Sequence, residues 1–251
     1  MKKLLSVALC AVASMAMAAT EVTIANVGVT KVTIPAGQQN TIIAASFNDL
    51  TDISNPAKIA NLVKMTNLTT GDELRLYKDG AYSVWTYDGD KKAWIAPTSV
   101  TSTGSAAGAD PATTGATVGS GLWFIRKDAS KAMDLVLYGA YLSSAQTSTL
   151  AAGWNLVGNS SFASYEITTG TKGDVIRKVV NGKLREYEKK TAGWKYQSIA
   201  NGKVTWVLEN PTVAAGEGIW YNAKSAGSIT WKTADAESNS LESKKVDNVK
   251  N

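Results

Sequence analysis

The chain has 251 residues, with 26 Lys and Arg against 21 Asp and Glu, one cysteine and no histidine. A chain of this composition excludes a Ser-His-Asp triad, a Cys-His nucleophile, c-type haem attachment and the common zinc sites, which leaves carboxylate, Lys, Tyr or Ser chemistry, or none. The basic excess lies in one region, since residues 142–232 hold eleven basic and six acidic groups while residues 19–141 hold ten and eleven. Dispersed in this way it reads as a solvated surface, and no nucleic-acid partner is expected.

At the N-terminus, Lys2 and Lys3 precede an apolar run over residues 4–12, followed by the small-x-small site Ala16-Met17-Ala18. This order predicts a signal peptide over residues 1–18 and an exported protein, periplasmic, surface-located or secreted. Cys10 lies inside that segment, so the mature chain is expected to carry no thiol. No later stretch reaches the roughly 18 consecutive apolar residues of a membrane helix, so no membrane span is expected.

Three signatures then occur twice in the same order. IPAGQQNTI (residues 34–42) returns as LAAGWNLVG (150–158), GDELRLYKDGAYSVW (71–85) as GDVIRKVVNGKLREY (173–187), and GSGLWFI (119–125) as GEGIWYN (216–222). Trp94 and Trp194 stand between centre and exit of each copy. The pattern predicts an all-β, mainly antiparallel protein of two tandem pseudo-repeated sheet or barrel modules, over residues 19–141 and 142–232. Asp79-Gly80 and Asn181-Gly182 sit between alternating apolar runs, the signature of two-residue type I′ hairpins. Asp88-Gly89 and Asn201-Gly202 suggest further turns, and KVTWVLE (203–209) and SITWK (228–232) further strands.

In the first copy, Asn55 as N-cap, Pro56 at the first helical position and Ile59, Leu62, Val63 and Met65 on one face predict a short inserted helix. Residues 98–119, rich in Ser, Thr, Ala and Gly, are expected to form a mobile loop. The polar stretch over residues 233–251 is expected to be a disordered tail.

LAAGWNLVGN, GWKYQS and VAAGEGIWY in the second copy resemble the small β module of exported bacterial surface proteins described by GWNL and G-x-GYW patterns, over residues 150–232. The first copy resembles it more loosely, with Gln38-Gln39-Asn40 where the second has Trp154-Asn155. The resemblance implies an exported β protein and assigns no activity.

The function expected is structural, adhesive or ligand-binding at the envelope, with a glycan or an envelope or host protein as partner and no cofactor or metal. Trp94, Trp123, Trp194 and Trp220, which recur between copies, are expected in cores, and Trp85, Trp206 and Trp231 are the candidates for an exposed stacking surface. The alternative is a carboxylate-dependent hydrolase in which the repeated Asp72 and Asp174 meet as an aspartic-protease-like dyad. No Asp-Thr-Gly or Asp-Ser-Gly motif supports it, and a Gly-Asp before a strand is also an ordinary turn. The alternating Asp88 and Asp90 lack the Glu of an EF-hand, and Gly-x-Gly-aliphatic-Trp lacks the helix of a phosphate loop.

Overall fold

The computed structural model describes residues 27–62, 68–99, 104–142, 144–201 and 203–231. The expected signal peptide and tail, together with Val63, Met65 and Gly202, lie outside the described residues. The first half contains β1 (Val27–Ile34), β2 (Asn40–Ala44), α1 (Ile59–Leu62), β3 (Glu73–Lys78), β4 (Ala81–Asp88), β5 (Ala93–Ile95), β6 (Ser105–Ala107), β7 (Gly121–Ile125) and β8 (Met133–Ala140). The second contains β9 (Gln146–Leu150), β10 (Gly153–Gly158), β11 (Tyr165–Glu166), β12 (Val175–Val180), β13 (Lys183–Lys190), β14 (Gly193–Ala200), β15 (Lys203–Leu208), β16 (Thr212–Val213), β17 (Gly218–Ala223) and β18 (Gly227–Trp231).

The protein is nearly all β, and its ladders are antiparallel except where β6 joins β4. One sheet runs β2-β7-β3-β4-β5 and another runs β10-β17-β12-β13-β14-β15, while β1 pairs with β8 and β9 with β18 as separate ribbons. The turns carry the predicted chemistry. Asp79 and Gly80 have φ of 51° and 83°, and Asn181 and Gly182 have 51° and 73°, the positive pair that a type I′ turn requires. They join β3 to β4 and β12 to β13, with Lys78 opposite Ala81 and Val180 opposite Lys183.

The period of two along each strand separates a core face from a second face. Leu74, Trp85, Trp94, Leu122 and Phe124 enter one core, with Ile34, Leu135 and Leu137 of the first ribbon. Ile176, Tyr187, Trp194, Ile219 and Tyr221 enter the other, with Leu150, Ile229 and Trp231 of the second ribbon. Trp94 and Trp194 are buried as expected.

The repeated Gly-x-Gly is the seam between the halves. Gly119 and Gly216 turn the chain at φ of 87° and 74°, and Ser120 and Glu217 bridge to Val157 and Ile43 of the opposite half. Backbone hydrogen bonds cross reciprocally, from Ala44 N–H to the Gly216 carbonyl at 2.7 Å and from Gly158 N–H to the Gly119 carbonyl at 2.8 Å. The second glycine of each motif permits this approach. A Cβ on Gly121 would lie 2.9 Å from the Val157 carbonyl oxygen, and one on Gly218 would lie 2.9 Å from that of Ile43.

Two expectations change. The helix begins later than expected, at Ile59, because Pro56 is held in an extended bridge to Asn48; its described part is Ile59–Leu62. Its first amides are satisfied by tertiary partners, Ile59 N–H by the Thr114 carbonyl and Ala60 N–H by that of Pro111. The described part of the stretch expected as a mobile loop packs onto the sheet: β6 pairs with β4, Gly108 N–H donates to the Val84 carbonyl, and Ala116 is buried. Its small residues are what allow this, since a Cβ on Gly108 would lie 2.1 Å from the Trp85 indole.

Candidate functional site

The second faces of the two sheets meet. Because Leu74 and Leu76 point into the first core, Arg75 and Tyr77 point away from it, and Trp123, between Leu122 and Phe124, does the same. In the second half Arg177, Val179 and Trp220 take the corresponding places on β12 and β17. Neither Trp123 nor Trp220 is a core residue; both are partly buried where the halves face each other.

One side of this meeting is filled with aromatic rings. Tyr77 lies 4.9 Å from Trp220, Tyr82 lies 6.2 Å from Trp220 and 5.8 Å from Trp123, and Trp154 meets Trp220 edge-on at 6.1 Å. The Arg177 guanidinium sits 4.6 Å over the Trp154 ring and donates to Glu186 at 2.7 Å. Burial pushes the Tyr82 phenol up to about 12, with Tyr77 adding to the shift and Arg75 opposing it, so the ring carries a neutral hydroxyl at physiological pH.

On the other side the second half places Val179 and Leu184 where the first has Tyr77 and Tyr82, and the first half places Asn40 where the second has Trp154. Smaller side chains leave a groove of about 470 Å³, lined by Trp123, Trp220, Arg177, Val179 and Leu184 and by the polar segment Gln38-Gln39-Asn40. Two indoles, a guanidinium and three amide side chains around an open apolar floor can bind and orient a neutral or weakly polar ligand. They supply no nucleophile.

The residues singled out in the sequence are distributed otherwise. Trp85 and Trp231 are fully buried, which corrects their assignment to an exposed stacking surface. The Trp85 indole N–H donates to the Ala109 carbonyl at 2.8 Å, and that of Trp231 to Ser148 Oγ at 2.7 Å, so an indole that looked unpaired in the repeat is a core residue with its own acceptor. Trp206 is exposed, on β15 and apart from the groove. Asp88 caps its own turn, accepting from the amides of Asp90 and Lys91.

Asp72 and Asp174 are both buried, and each carboxylate closes a loop of its own half. Asp72 accepts from the amides of Thr69 and Lys127 at 2.8 and 2.7 Å. Asp174 accepts from those of Thr171 and Lys224 at 2.7 and 2.8 Å and from the Tyr221 hydroxyl at 2.7 Å. No hydrogen bond joins the two carboxylates among the described residues. Burial raises the Asp72 carboxyl above the usual carboxylate range, opposed by its two amide donors and by Arg126. What the repeat of Gly-Asp encodes here is a pair of loop clasps.

Sequence reasoning missed the groove. The signal was in the departures between the two halves, Asn40 against Trp154 and Leu184 against Tyr82, and not in the residues that match. No protein-family model, no curated protein and no solved structure matches the chain.

Proposed function

We propose that the protein is an exported envelope or secreted binding protein, built from two diverged copies of one β module, that takes a glycan segment in the groove between its halves and carries out no catalysis. The reading is supported above all by the pairing of two partly buried indoles, Trp123 and Trp220, with Arg177 and the Gln38-Gln39-Asn40 amides along one open cleft. Sugar rings present apolar C–H faces to indoles and hydroxyl edges to amides and guanidinium groups, so both kinds of lining residue find a partner. The duplication is supported by the recurring pairing order of the strands and by the Asp72 and Asp174 clasps, and export by the N-terminal sequence pattern. The hydrolase alternative has no comparable support, because the oxygens of both carboxylates are already engaged by amides of their own halves.

The test is a screen of the purified mature chain against glycan and peptide libraries, followed by titration on tryptophan fluorescence. Trp123→Ala is expected to weaken binding about tenfold or more, the scale of losing one well-buried aromatic contact. Asn40→Trp, which fills the groove as Trp154 fills the opposite side, should abolish binding with little change in unfolding midpoint. A ligand whose affinity survives Asn40→Trp would place the site elsewhere, and selection of peptides alone would overturn the glycan assignment.

A further inference from the structure

The second half carries a feature with no counterpart among the described residues of the first. β13 pairs with β14 only from Tyr187 opposite Tyr196 to Lys190 opposite Gly193, after which the two diverge. β14 and β15 continue together, from Gln197 opposite Trp206 to Ala200 opposite Lys203, as a two-stranded arm. In the first half β5 is three residues long and ends its sheet order among the described residues. The arm exposes large apolar side chains: Ile199 is 74% exposed, Val204 57%, Leu208 61% and Trp206 47%. β15 ends the sheet order and has one ladder partner, β14, among the described residues. An exposed, apolar, unpaired edge strand invites pairing with another strand.

The direction of the free edge follows from the ladder. Glu209 N–H donates to the Trp194 carbonyl, and Leu208 lies opposite Lys195. Backbone groups alternate along an antiparallel strand, so positions 203, 205, 207 and 209 spend theirs on β14 while Val204, Trp206 and Leu208 direct theirs outward. We propose that two copies of the protein pair antiparallel through these outward groups, with Trp206 on the twofold axis, to join their sheets into one.

Strand KVTWVLE is self-complementary in that register. Trp206 meets Trp206 of the second copy, Val204 meets Leu208, and Lys203 meets Glu209 at both ends. Each outward residue finds a residue whose backbone also points outward, which satisfies the edge's free N–H and C=O groups, and Val204, Trp206 and Leu208 each find an apolar partner, while Val207 meets Thr205. A shift by two residues either way keeps the hydrogen-bond phase but sets Lys203 opposite Val207, or Glu209 opposite Thr205. Charge and backbone phase together therefore select one register and one occupant.

Light scattering after size exclusion, over the micromolar range, tests this on the full mature chain. The wild type is expected as a concentration-dependent dimer, and a monomer throughout the range would overturn the proposal. Trp206→Glu sets two carboxylates on the axis and should give a monomer; an undiminished dimer would place the interface elsewhere. Lys203→Glu and Glu209→Lys each bring like charges together at both ends and should weaken the dimer about tenfold or more, since like charges directly opposite in a ladder are destabilising. Mixing those two variants should restore a heterodimer, because each then supplies the charge that the other lacks. Mixing without recovery, with both variants folded by circular dichroism, would rule out the Trp206-centred register.

Discussion

The first half closes itself and the second does not. In the first, α1 and residues 104–116 lie over the sheet, so that Trp85, Ala57, Ile59, Leu62 and Ala116 share a core. In the second the place of Trp85 belongs to Tyr187, whose hydroxyl donates to Glu209 at 2.9 Å, and the sheet runs on into the exposed arm of β14 and β15. The same strand order thus supports a covered face in one half and an exposed edge in the other, and the choice rests on which half carries the insertion. The difference extends to single donors. Asp174 accepts from the Tyr221 hydroxyl, whereas Phe124 takes the corresponding strand position in the first half, and the Trp194 indole N–H reaches the Thr169 carbonyl at 2.9 Å while that of Trp94 is buried with no acceptor among the described residues.

The most severe break of this comparison is at the seam, where both halves depend on close backbone approach. A Cβ added at Gly158 would lie 2.5 Å from the Cα of Ala44 and 2.9 Å from the Ser120 carbonyl oxygen, so relief requires backbone movement on both sides. Gly158→Ala is expected to destabilise the protein by about 3 kcal/mol, the upper range of overpacking penalties, read by urea unfolding. An effect below about 1 kcal/mol would mean that the halves are not locked together at this point.

Next come the clasps. Asn at either Asp position turns an amino group toward amide donors, so Asp72→Asn and Asp174→Asn should each cost about 1–3 kcal/mol at neutral pH, with the larger loss at Asp174, which also strands the Tyr221 hydroxyl. The pH dependence separates them further. Burial raises Asp72 in the folded state, so folded protein holds that proton more tightly than unfolded protein does. Its contribution favours folding below the ordinary carboxylate range and is lost as pH rises through the interval between unfolded and folded values. The stability difference between wild type and Asp72→Asn should therefore shrink with rising pH across that interval because of this titration, over and above the hydrogen-bond cost; a flat difference would remove the desolvation account.

The smallest effect expected is at the paired indoles. Trp194→Phe gives up a hydrogen bond and orphans the Thr169 carbonyl, whereas Trp94→Phe removes a donor that has no acceptor among the described residues. The first substitution should cost about 1 kcal/mol more than the second, measured by thermal or chemical unfolding. Equal losses would show that packing alone governs both sites.

How much of this was legible varies residue by residue. Asp79-Gly80 and Asn181-Gly182 announced their hairpins because positive φ at two adjacent positions is a local requirement that few residue pairs meet. The alternation of Leu74 and Leu76 with Arg75 and Tyr77 likewise separated the faces of β3. The predicted helix starts at Ile59 and not at Pro56 because the bridge between Asn48 and Pro56, a tertiary contact, overrode a local capping pattern. Periodicity also failed to say which Trp was exposed. It reports which face of a strand a side chain occupies, and in a sheet covered on both sides either face can be interior.

Sequence alone determined the β class, the hairpin turns and the recurrence of three signatures in order, since each follows from local backbone preference or from direct comparison of residues. Tertiary structure decided that the repeated glycines form the seam, that the repeated aspartates clasp loops, and that a groove opens where Asn40, Val179 and Leu184 replace larger side chains. Those outcomes depend on which surfaces face each other between distant parts of the chain, and no local pattern carries that distance.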